Sequence, residues 1–119
     1  MERILLSTAD GSHTISIPNL AVTYHSTHGA IQESKHIFIE AGLDPILQKG
    51  NPHYDILEIG FGTGLNTLLT LIAANHVSIR YESLEPYPID MQIFRQLNYC
   101  DQMSRQDLTD KFLLMHYAP

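Results

Sequence analysis

Three glycines at alternate positions, Gly60, Gly62 and Gly64, follow an apolar run in the stretch YDILEIGFGTG (54–64). Because glycine has no Cβ, it adopts positive φ and lets a ligand approach the backbone closely. A helix that begins at this point would add free N–H groups and the positive end of its dipole. The stretch therefore predicts a loop that binds a carboxylate, a phosphate or a polar part of a nucleoside.

A second residue suited to nucleoside binding is Glu85, in the stretch SLEPYP. A carboxylate at the end of a strand can accept hydrogen bonds from both ribose hydroxyls. The alternative is a solvated carboxylate that has no ligand. Together with the glycine loop, Glu85 favours the binding of a nucleoside-containing cofactor.

The spacing of the glycines narrows the choice of ligand. A P-loop ends in Gly-Lys-Ser/Thr, whereas Gly64 is followed by Leu65 and Asn66, and this excludes nucleoside triphosphates. The dinucleotide fingerprint G-x-G-x-x-G has its third glycine one residue later than Gly64. The shorter spacing, preceded by Glu58, resembles the first motif of the methyltransferases that use S-adenosylmethionine (AdoMet).

The elements around the loop are those needed to position it. Residues 54–59 predict a strand of a parallel sheet that is covered on both faces. Residues 65–75 carry apolar side chains at helical spacing, and 77–84 predict a second strand. Strand, glycine turn, helix and strand form a right-handed βαβ unit, with the site at the carboxyl ends of the strands. We therefore expect an α/β fold.

An N-terminal β-hairpin is expected ahead of this unit. The β-rich runs 3–8 and 13–18 flank Asp10 and Gly11, a pair favoured in two-residue hairpin turns. The hairpin would precede the glycine loop without belonging to the βαβ unit.

The remaining segments predict short helices. Residues 31–41 fit neither a helix nor a strand, because three apolar residues are consecutive at 37–39. Asp44 is expected to be the N-cap of a short helix. Further helices are expected at 89–97 and after a capping arrangement at 104–107.

Composition limits the functional classes. The chain has 119 residues, of which 44% are hydrophobic, and no apolar run approaches the roughly 18 residues of a membrane helix. No signal peptide is recognisable, so we expect a cytoplasmic protein with no membrane partner. A net charge of −6 disfavours phosphate-backbone binding by this chain alone. The single cysteine, Cys100, excludes an internal disulfide, and His25 and His28 lack the further ligands of a zinc site.

Three stretches together resemble the methyltransferase domain of the enzymes that modify 5-aminomethyl-2-thiouridine in tRNA. They are VTYHSTHGAIQESKHIFIEAGL, LEIGFGTGLNTLLTL and YESLEPYPI. That domain is fused to a flavin oxidase in the MnmC type and is free-standing in the MnmD type. The resemblance implies a Rossmann-like fold, AdoMet as cofactor, and methylation of the wobble-uridine amine. It also implies tRNA as a partner of the complete enzyme and an oxidase that uses FAD as a further domain or partner.

The resemblance assigns residues to the cofactor site. At the matching positions the expected AdoMet-binding residues are Glu58, Gly60, Phe61, Gly62, Thr63, Gly64, Asn66, Glu85 and Pro86. Asn66 either contacts the methionine end of AdoMet or caps the turn. Glu33 either faces the cofactor cleft or pairs with Lys35 or Arg80. Tyr24 belongs either to the pocket wall or to the core.

The sequence also departs from the family pattern. After Glu85 it lacks the Asp-Ala-Phe type motif and the proline-containing loop that lie beside the reactive methyl group in the family. We therefore expect a fold truncated after the first βαβ unit, with a hairpin extension at 1–24 and the N-terminal half of the methyltransferase domain at 25–119. The catalytic residues are expected in the missing half.

The missing half has consequences for activity and association. The 119-residue chain is expected to be inactive alone and to self-associate through its open sheet edge. Two other functions stay open. One is an inactive nucleoside-binding or assembly module, and the other is an NAD-dependent oxidoreductase fragment, which the early third glycine disfavours.

Overall fold

Two separate sheets are present in the computed structural model, which describes residues 2–117. The first is antiparallel, with the strand order β1 (Ile4–Ser7), β2 (His13–Ile17) and β3 (Val22–Thr23). The second is parallel and contains β4 (His53–Ile59) and β5 (Ser78–Leu84). The combination with helices makes the chain an α/β protein, as predicted.

The helical elements are short, and in the sequence they precede β4, connect β4 to β5 or follow β5. They are α1 (Ala30–Ser34), a π-helical segment (Lys35–Leu43), α2 (Asp44–Leu47), α3 (Leu65–Ala73), α4 (Met91–Phe94), α5 (Tyr99–Gln102) and α6 (Thr109–Tyr117). Two 3-10 turns occupy Pro18–Leu20 and Gln106–Leu108. None of these helices is long and apolar enough to cross a membrane.

The predicted βαβ unit is confirmed in β4, α3 and β5. The two strands pair from His53 opposite Ser78 to Ile59 opposite Leu84. Helix α3 forms because its apolar residues recur on one face, and that face is buried in the main core. The glycine loop therefore lies between the end of β4 and the start of α3.

The expectation that β4 is covered on both faces is wrong for the described residues. Leu57 is 62% exposed and Ile59 is 75% exposed, and Leu84 on the neighbouring strand is 56% exposed. Side chains alternate between the two faces of a strand, so these residues share one face. That face carries no covering element in residues 2–117.

The N-terminal hairpin is present, but its turn differs from the prediction. The N–H of Gly11 donates to the carbonyl of Thr8 (3.0 Å), and the N–H of Thr8 donates to the carbonyl of Ser12 (2.8 Å). Gly11 has a φ of +88°. These features make a three-residue loop of the kind that ends in a left-handed glycine, instead of a two-residue turn.

The ambiguous segment after the hairpin is helical. Helix α1, the π-helical segment and α2 follow each other without a break from Ala30 to Leu47. The predicted N-cap role of Asp44 is wrong, because Leu43 before it is already helical and no side-chain cap bond forms. In the wider π-helical turn the N–H of Asp44 bonds to the carbonyl of Ile39, five residues back.

The C-terminal helices close the main core. Helix α4 is shorter than the expected 89–97, and α5 was not predicted. The last helix is confirmed, and Phe112 on it is buried together with Tyr99 and Cys100 of α5. The Tyr99 hydroxyl donates to the carbonyl of His13 (2.8 Å), which joins α5 to the hairpin.

Candidate functional site

An open cavity of about 1240 Å³ lies beside the glycine loop. Its walls come from β4, the glycine loop, the π-helical segment and the residues that follow β3. The predicted site residues that line it are Tyr24, Glu33, Glu58, Gly60, Phe61, Gly62, Thr63, Asn66 and Glu85. Gly64 and Pro86 are not among its walls. These residues come from four separate stretches of the sequence, at 24, 33, 58–66 and 85, which the fold brings together.

The three loop glycines all have positive φ, but their surroundings differ. At Gly60 (φ +88°) an added Cβ would meet nothing within 4 Å, so its backbone faces open space. At Gly64 (φ +81°) a Cβ would lie 2.7 Å from Cζ of Phe61 and 3.1 Å from Nε2 of His116. Gly60 therefore leaves room for a ligand, whereas Gly64 allows the loop to pack against aromatic rings.

Glu85 is tied to the glycine loop. Its Oε1 accepts a hydrogen bond from the N–H of Gly62 (2.7 Å), and its Oε2 accepts one from the N–H of Tyr87 (3.1 Å). A carboxylate has about four acceptor positions, so acceptor capacity remains after these two bonds. The half-buried Glu85 can thus accept a pair of ligand hydroxyls at the cavity wall.

Glu58 connects the three elements of the βαβ unit. Its Oε1 accepts hydrogen bonds from the hydroxyls of Ser83 on β5 (2.8 Å) and Thr67 on α3 (3.2 Å). The neighbouring Tyr81 is part-buried, and this burial raises the pKa of its hydroxyl; the charge of Glu58 raises the pKa further. Glu58 lines the cavity while these bonds hold the helix against the strands.

Asn66 does not cap the turn before α3. No side-chain bond caps that helix, and Oδ1 of Asn66 is buried without a hydrogen-bond partner among the described residues. Asn66 lines the cavity as a residue, and its contact with the methionine end of AdoMet stays a prediction.

Tyr24 fulfils both of its predicted alternatives. Its ring would be 3.3 Å from a Cβ placed on Gly62, so it packs directly against the glycine loop and lines the cavity. The same ring also packs against the smaller core cluster, which contains Ile15, Ile89 and Phe94. The loop and the core therefore share this side chain.

Glu33 lies on the cavity wall and not in a surface ion pair. Its Oε1 accepts a hydrogen bond from the N–H of Ser26 (3.0 Å). The predicted alternative partner Arg80 instead bonds to Glu82 on the same strand. Glu33 is therefore held by the segment that follows β3.

His25 was not predicted to belong to the site, because the sequence was considered only for a zinc-binding role of this residue. Its Nε2 is 2.9 Å from the hydroxyl of Thr63, a glycine-loop residue that is only 1% exposed. Its own N–H donates to the hydroxyl of Thr14 (2.9 Å). Burial lowers the pKa of His25, and the nearby Glu33 carboxylate partly opposes this effect. A neutral imidazole thus links the N-terminal sheet to the loop.

Behind the glycine loop lies a second histidine, His116 of α6. Its ring stacks on Phe94 at 4.5 Å between centroids and meets the edge of Phe61 at 5.0 Å. Burial lowers the pKa of His116 to about 4. This uncharged aromatic contact packs the glycine loop against α4 and α6.

Part of the cavity wall is apolar and was also not predicted. Ile37 and Phe38 of the π-helical segment line it, although each is about half exposed, and Tyr87 after β5 lines it as well. Arg3 reaches the same region, where its guanidinium donates to the carbonyls of Tyr87 (2.7 Å) and Pro88 (3.0 Å). Across residues 2–117 no group of three or more His, Cys, Asp or Glu side chains could hold a metal ion.

These groups fit AdoMet chemically. The ligand offers two ribose hydroxyls, for which Glu85 has free acceptor positions. The open space at Gly60 admits a ligand next to the backbone, and the aromatic and aliphatic wall suits a purine. The donor and acceptor set therefore agrees with the cofactor that the glycine spacing indicated.

Comparison with known proteins identifies similar sequences. The bifunctional protein MnmC of tRNA 5-methylaminomethyl-2-thiouridine biosynthesis from Magnetococcus marinus is 45% identical over 74 residues, which is 58% of this chain and 11% of that protein. The MnmC protein from Burkholderia multivorans is 31% identical over 88 residues, or 70% of this chain and 13% of that protein. The chain thus spans only a small part of the length of these curated relatives. No protein-family model matches it.

A solved structure shows the same fold. The crystal structure of MnmC2 from Aquifex aeolicus matches with a TM-score of 0.65 and 24% sequence identity, covering 98% of this chain and 38% of that one. At this level of sequence identity, the structural similarity supports a shared fold and nothing further. The resemblance predicted from the motifs is confirmed by the sequence matches: over more than half of its length, this chain is similar to a segment of the MnmC proteins.

Proposed function

We propose that the cavity binds AdoMet and that the chain forms the cofactor-binding part of a Rossmann-like tRNA methyltransferase. The observation that carries this proposal is the Glu85 carboxylate bound to the N–H of Gly62 at the edge of the cavity. It places an acceptor for ribose on the glycine loop, where the backbone at Gly60 is open to close approach. The similarity to MnmC proteins supports the reaction class.

The proposed reaction is methylation of the amine of 5-aminomethyl-2-thiouridine at the tRNA wobble position. AdoMet would supply an electrophilic methyl group on its sulfonium. The residues of this chain would hold the cofactor: Glu85 the ribose, Gly60 and Gly62 the face along the backbone, and Asn66 the methionine end. Holding two reactants in line accounts for much of the acceleration in such a transfer.

The remaining parts of the proposal concern organisation and partners. Residues 1–24 would form a hairpin extension, and 25–119 would form the first half of the methyltransferase domain. The groups that receive the amine, and the basic surface for tRNA, would come from elsewhere in the complete enzyme, since this chain has a net charge of −6. An oxidase that uses FAD would be a further domain or partner, and tRNA as substrate places the enzyme in the cytoplasm.

Calorimetric titration with AdoMet tests this function. We expect the unmodified chain to bind AdoMet and Glu85→Ala to bind at least about tenfold more weakly, because hydrogen bonds to a charged group are worth about 1.5–3 kcal/mol. Gly60→Ala should also weaken binding, because its Cβ would occupy the open space beside the backbone.

Gly50→Ala is the matched control. Gly50 also has positive φ (+76°) and open space at its Cβ position, but it lies away from the cavity wall. It should therefore leave the affinity for AdoMet unchanged. A folded chain that binds no AdoMet would overturn the proposal, and a chain that binds NADH in its place would favour the oxidoreductase alternative.

A further inference from the structure

Glu33 is a half-buried carboxylate on the cavity wall with no cationic protein partner. Within the described part of the chain, the ion pairs of arginine join Arg80 to Glu82 and Arg105 to Asp107. Arg3, which also lines the cavity, donates two guanidinium N–H groups to backbone carbonyls and forms no ion pair with Glu33. A charge at a partly desolvated wall is favourable only when it is paired, so a cationic group from a ligand would stabilise it.

The adjacent histidine does not supply that charge. Burial lowers the pKa of His25, so its imidazole is neutral near pH 7. Its Nε2 is already engaged with the hydroxyl of Thr63. His25 therefore positions the segment beside Glu33 without neutralising the carboxylate.

A continuous series of contacts leads from the ribose acceptor to Glu33. Glu85 bonds to Gly62, and the next loop residue, Thr63, contacts His25. The residue after His25 is Ser26, whose N–H is bound by Glu33. A ligand that holds its ribose at Glu85 and extends along the loop would bring its other end towards Glu33.

The chemistry of the Glu33 carboxylate indicates which ligand group it would bind. One of its oxygens accepts from the N–H of Ser26, and acceptor positions remain on the carboxylate. An alkylammonium group has three donors and one positive charge, and it matches these positions.

We propose that Glu33 binds the ammonium group at the amino-acid end of AdoMet. This inference rests on the proposed function and adds a specificity residue to it. Glu33 selects ligands that carry the amino-acid group, whereas Glu85 recognises the nucleoside.

Two nucleosides that differ in the amino-acid end test this assignment by calorimetry. S-Adenosylhomocysteine carries the ammonium group, and 5′-methylthioadenosine lacks the whole amino-acid part. Glu33→Gln removes the charge but keeps an oxygen for the N–H of Ser26. We expect this variant to bind S-adenosylhomocysteine at least about tenfold more weakly and 5′-methylthioadenosine within about twofold of the unmodified chain.

Glu40→Gln provides a matched control, because Glu40 lies on the same helical stretch and its exposed side chain faces His36. It should change neither affinity. If Glu33→Gln leaves S-adenosylhomocysteine binding unchanged, or weakens both nucleosides equally, the assignment of Glu33 is wrong while the proposed function stands. If the unmodified folded chain binds neither nucleoside, the proposed function itself fails and this inference falls with it.

Discussion

At the scale of single residues, Gly64 has the tightest surroundings of the glycine loop. Its positive φ and the ring of Phe61 both oppose a side chain there. An alanine in a left-handed conformation costs roughly 1–2 kcal/mol, and overpacking adds about 1–3 kcal/mol. The loop conformation thus requires glycine at position 64, both because φ is positive and because the Phe61 ring occupies the Cβ position.

We therefore expect Gly64→Ala to lower the free energy of unfolding by about 1–3 kcal/mol more than Gly50→Ala does. Gly50 has a similar φ (+76°), but nothing lies within 4 Å of its Cβ position, so it reports the backbone cost alone. Urea unfolding of both variants measures the difference. Equal losses would mean that the Phe61 ring moves aside at little cost.

Individual residues also show how far the sequence could predict the site. Glu85 and the glycines could be found because their spacing is local and each follows a strand. His25 could not, because its contact with Thr63 joins residues 38 positions apart, and a lone histidine in a loop carries no signal of its own. The orphaned oxygen of Asn66 likewise depends on packing that no local pattern specifies.

At the scale of elements, the hairpin loop caps helix α1. Three side chains of that loop accept hydrogen bonds from three successive N–H groups of the helix. Thr8 accepts from Ala30 (3.1 Å), Ser12 from Ile31 (3.1 Å) and Asp10 from Gln32 (3.0 Å). The first N–H groups of a helix have no carbonyl partner within the helix, so these three side chains satisfy them and fix the start of α1. Glu33 follows on that helix, and the hairpin thereby positions the cavity wall.

Asp10→Asn tests this cap and its dependence on pH. Burial opposes the charge of Asp10, but hydrogen bonds from Ser12, Gln32 and Thr8 outweigh it and lower the pKa below 3.8. The stabilisation is thus present above pH 3.8 and is lost as the pH falls through the folded-state pKa. We expect Asp10→Asn to cost about 0.3–1 kcal/mol at pH 7, because a negative charge at a helix N-terminus stabilises the helix by about that amount, and this cost to shrink as the pH falls below 3.8, measured by urea unfolding.

The control for this experiment is Asp90→Asn. Asp90 precedes α4 and is exposed, and its side chain forms no cap bond. It should change stability by less than about 0.5 kcal/mol at pH 7 or at acidic pH. No loss of stability for Asp10→Asn at pH 7, or a loss equal to that of Asp90→Asn, would show that the carboxylate charge is not what the helix uses.

The elements differ in how well local patterns predict them. The βαβ unit has clear periodicity, and its strands and helix were predicted within a few residues. Asp44 was misassigned because the chain before it continues as a π-helix, whose wider turn accommodates the consecutive apolar residues at 37–39. The capping of α1 joins residues 8–12 to residues 30–32. These residues are too far apart in the sequence for a local pattern to predict the cap.

At the scale of the whole molecule, one face of the parallel pair β4 and β5 is exposed, although both faces were expected to be covered. Leu57, Ile59 and Leu84 share this face, and Ile59 lies directly opposite Leu84 in the register. Contiguous apolar surface of this kind favours association between molecules. We therefore keep the prediction that the 119-residue chain self-associates.

Light scattering after size exclusion measures this association. We expect the unmodified chain to exceed its monomer mass of 13.5 kDa, and Leu57→Lys combined with Leu84→Lys to lower the measured mass. Leu114→Lys is the control, because Leu114 is 65% exposed but lies on α6, away from the sheet. A monomeric unmodified chain, or an equal effect of Leu114→Lys, would contradict the prediction.

The bonds between the hairpin and the C-terminal helices have a consequence for the order of folding. The links from Tyr99 to His13, from Asn98 to Gly11 and from Arg3 to Pro88 span 85 to 87 positions. Contacts so distant in sequence slow folding, because the intervening chain must be ordered before they can form. During synthesis the hairpin can pair its own strands early, but it can dock only after α5 has been made. The links to the C-terminal helices are therefore expected to form late, after the cap of α1, whose bonded residues are only 19 to 22 positions apart.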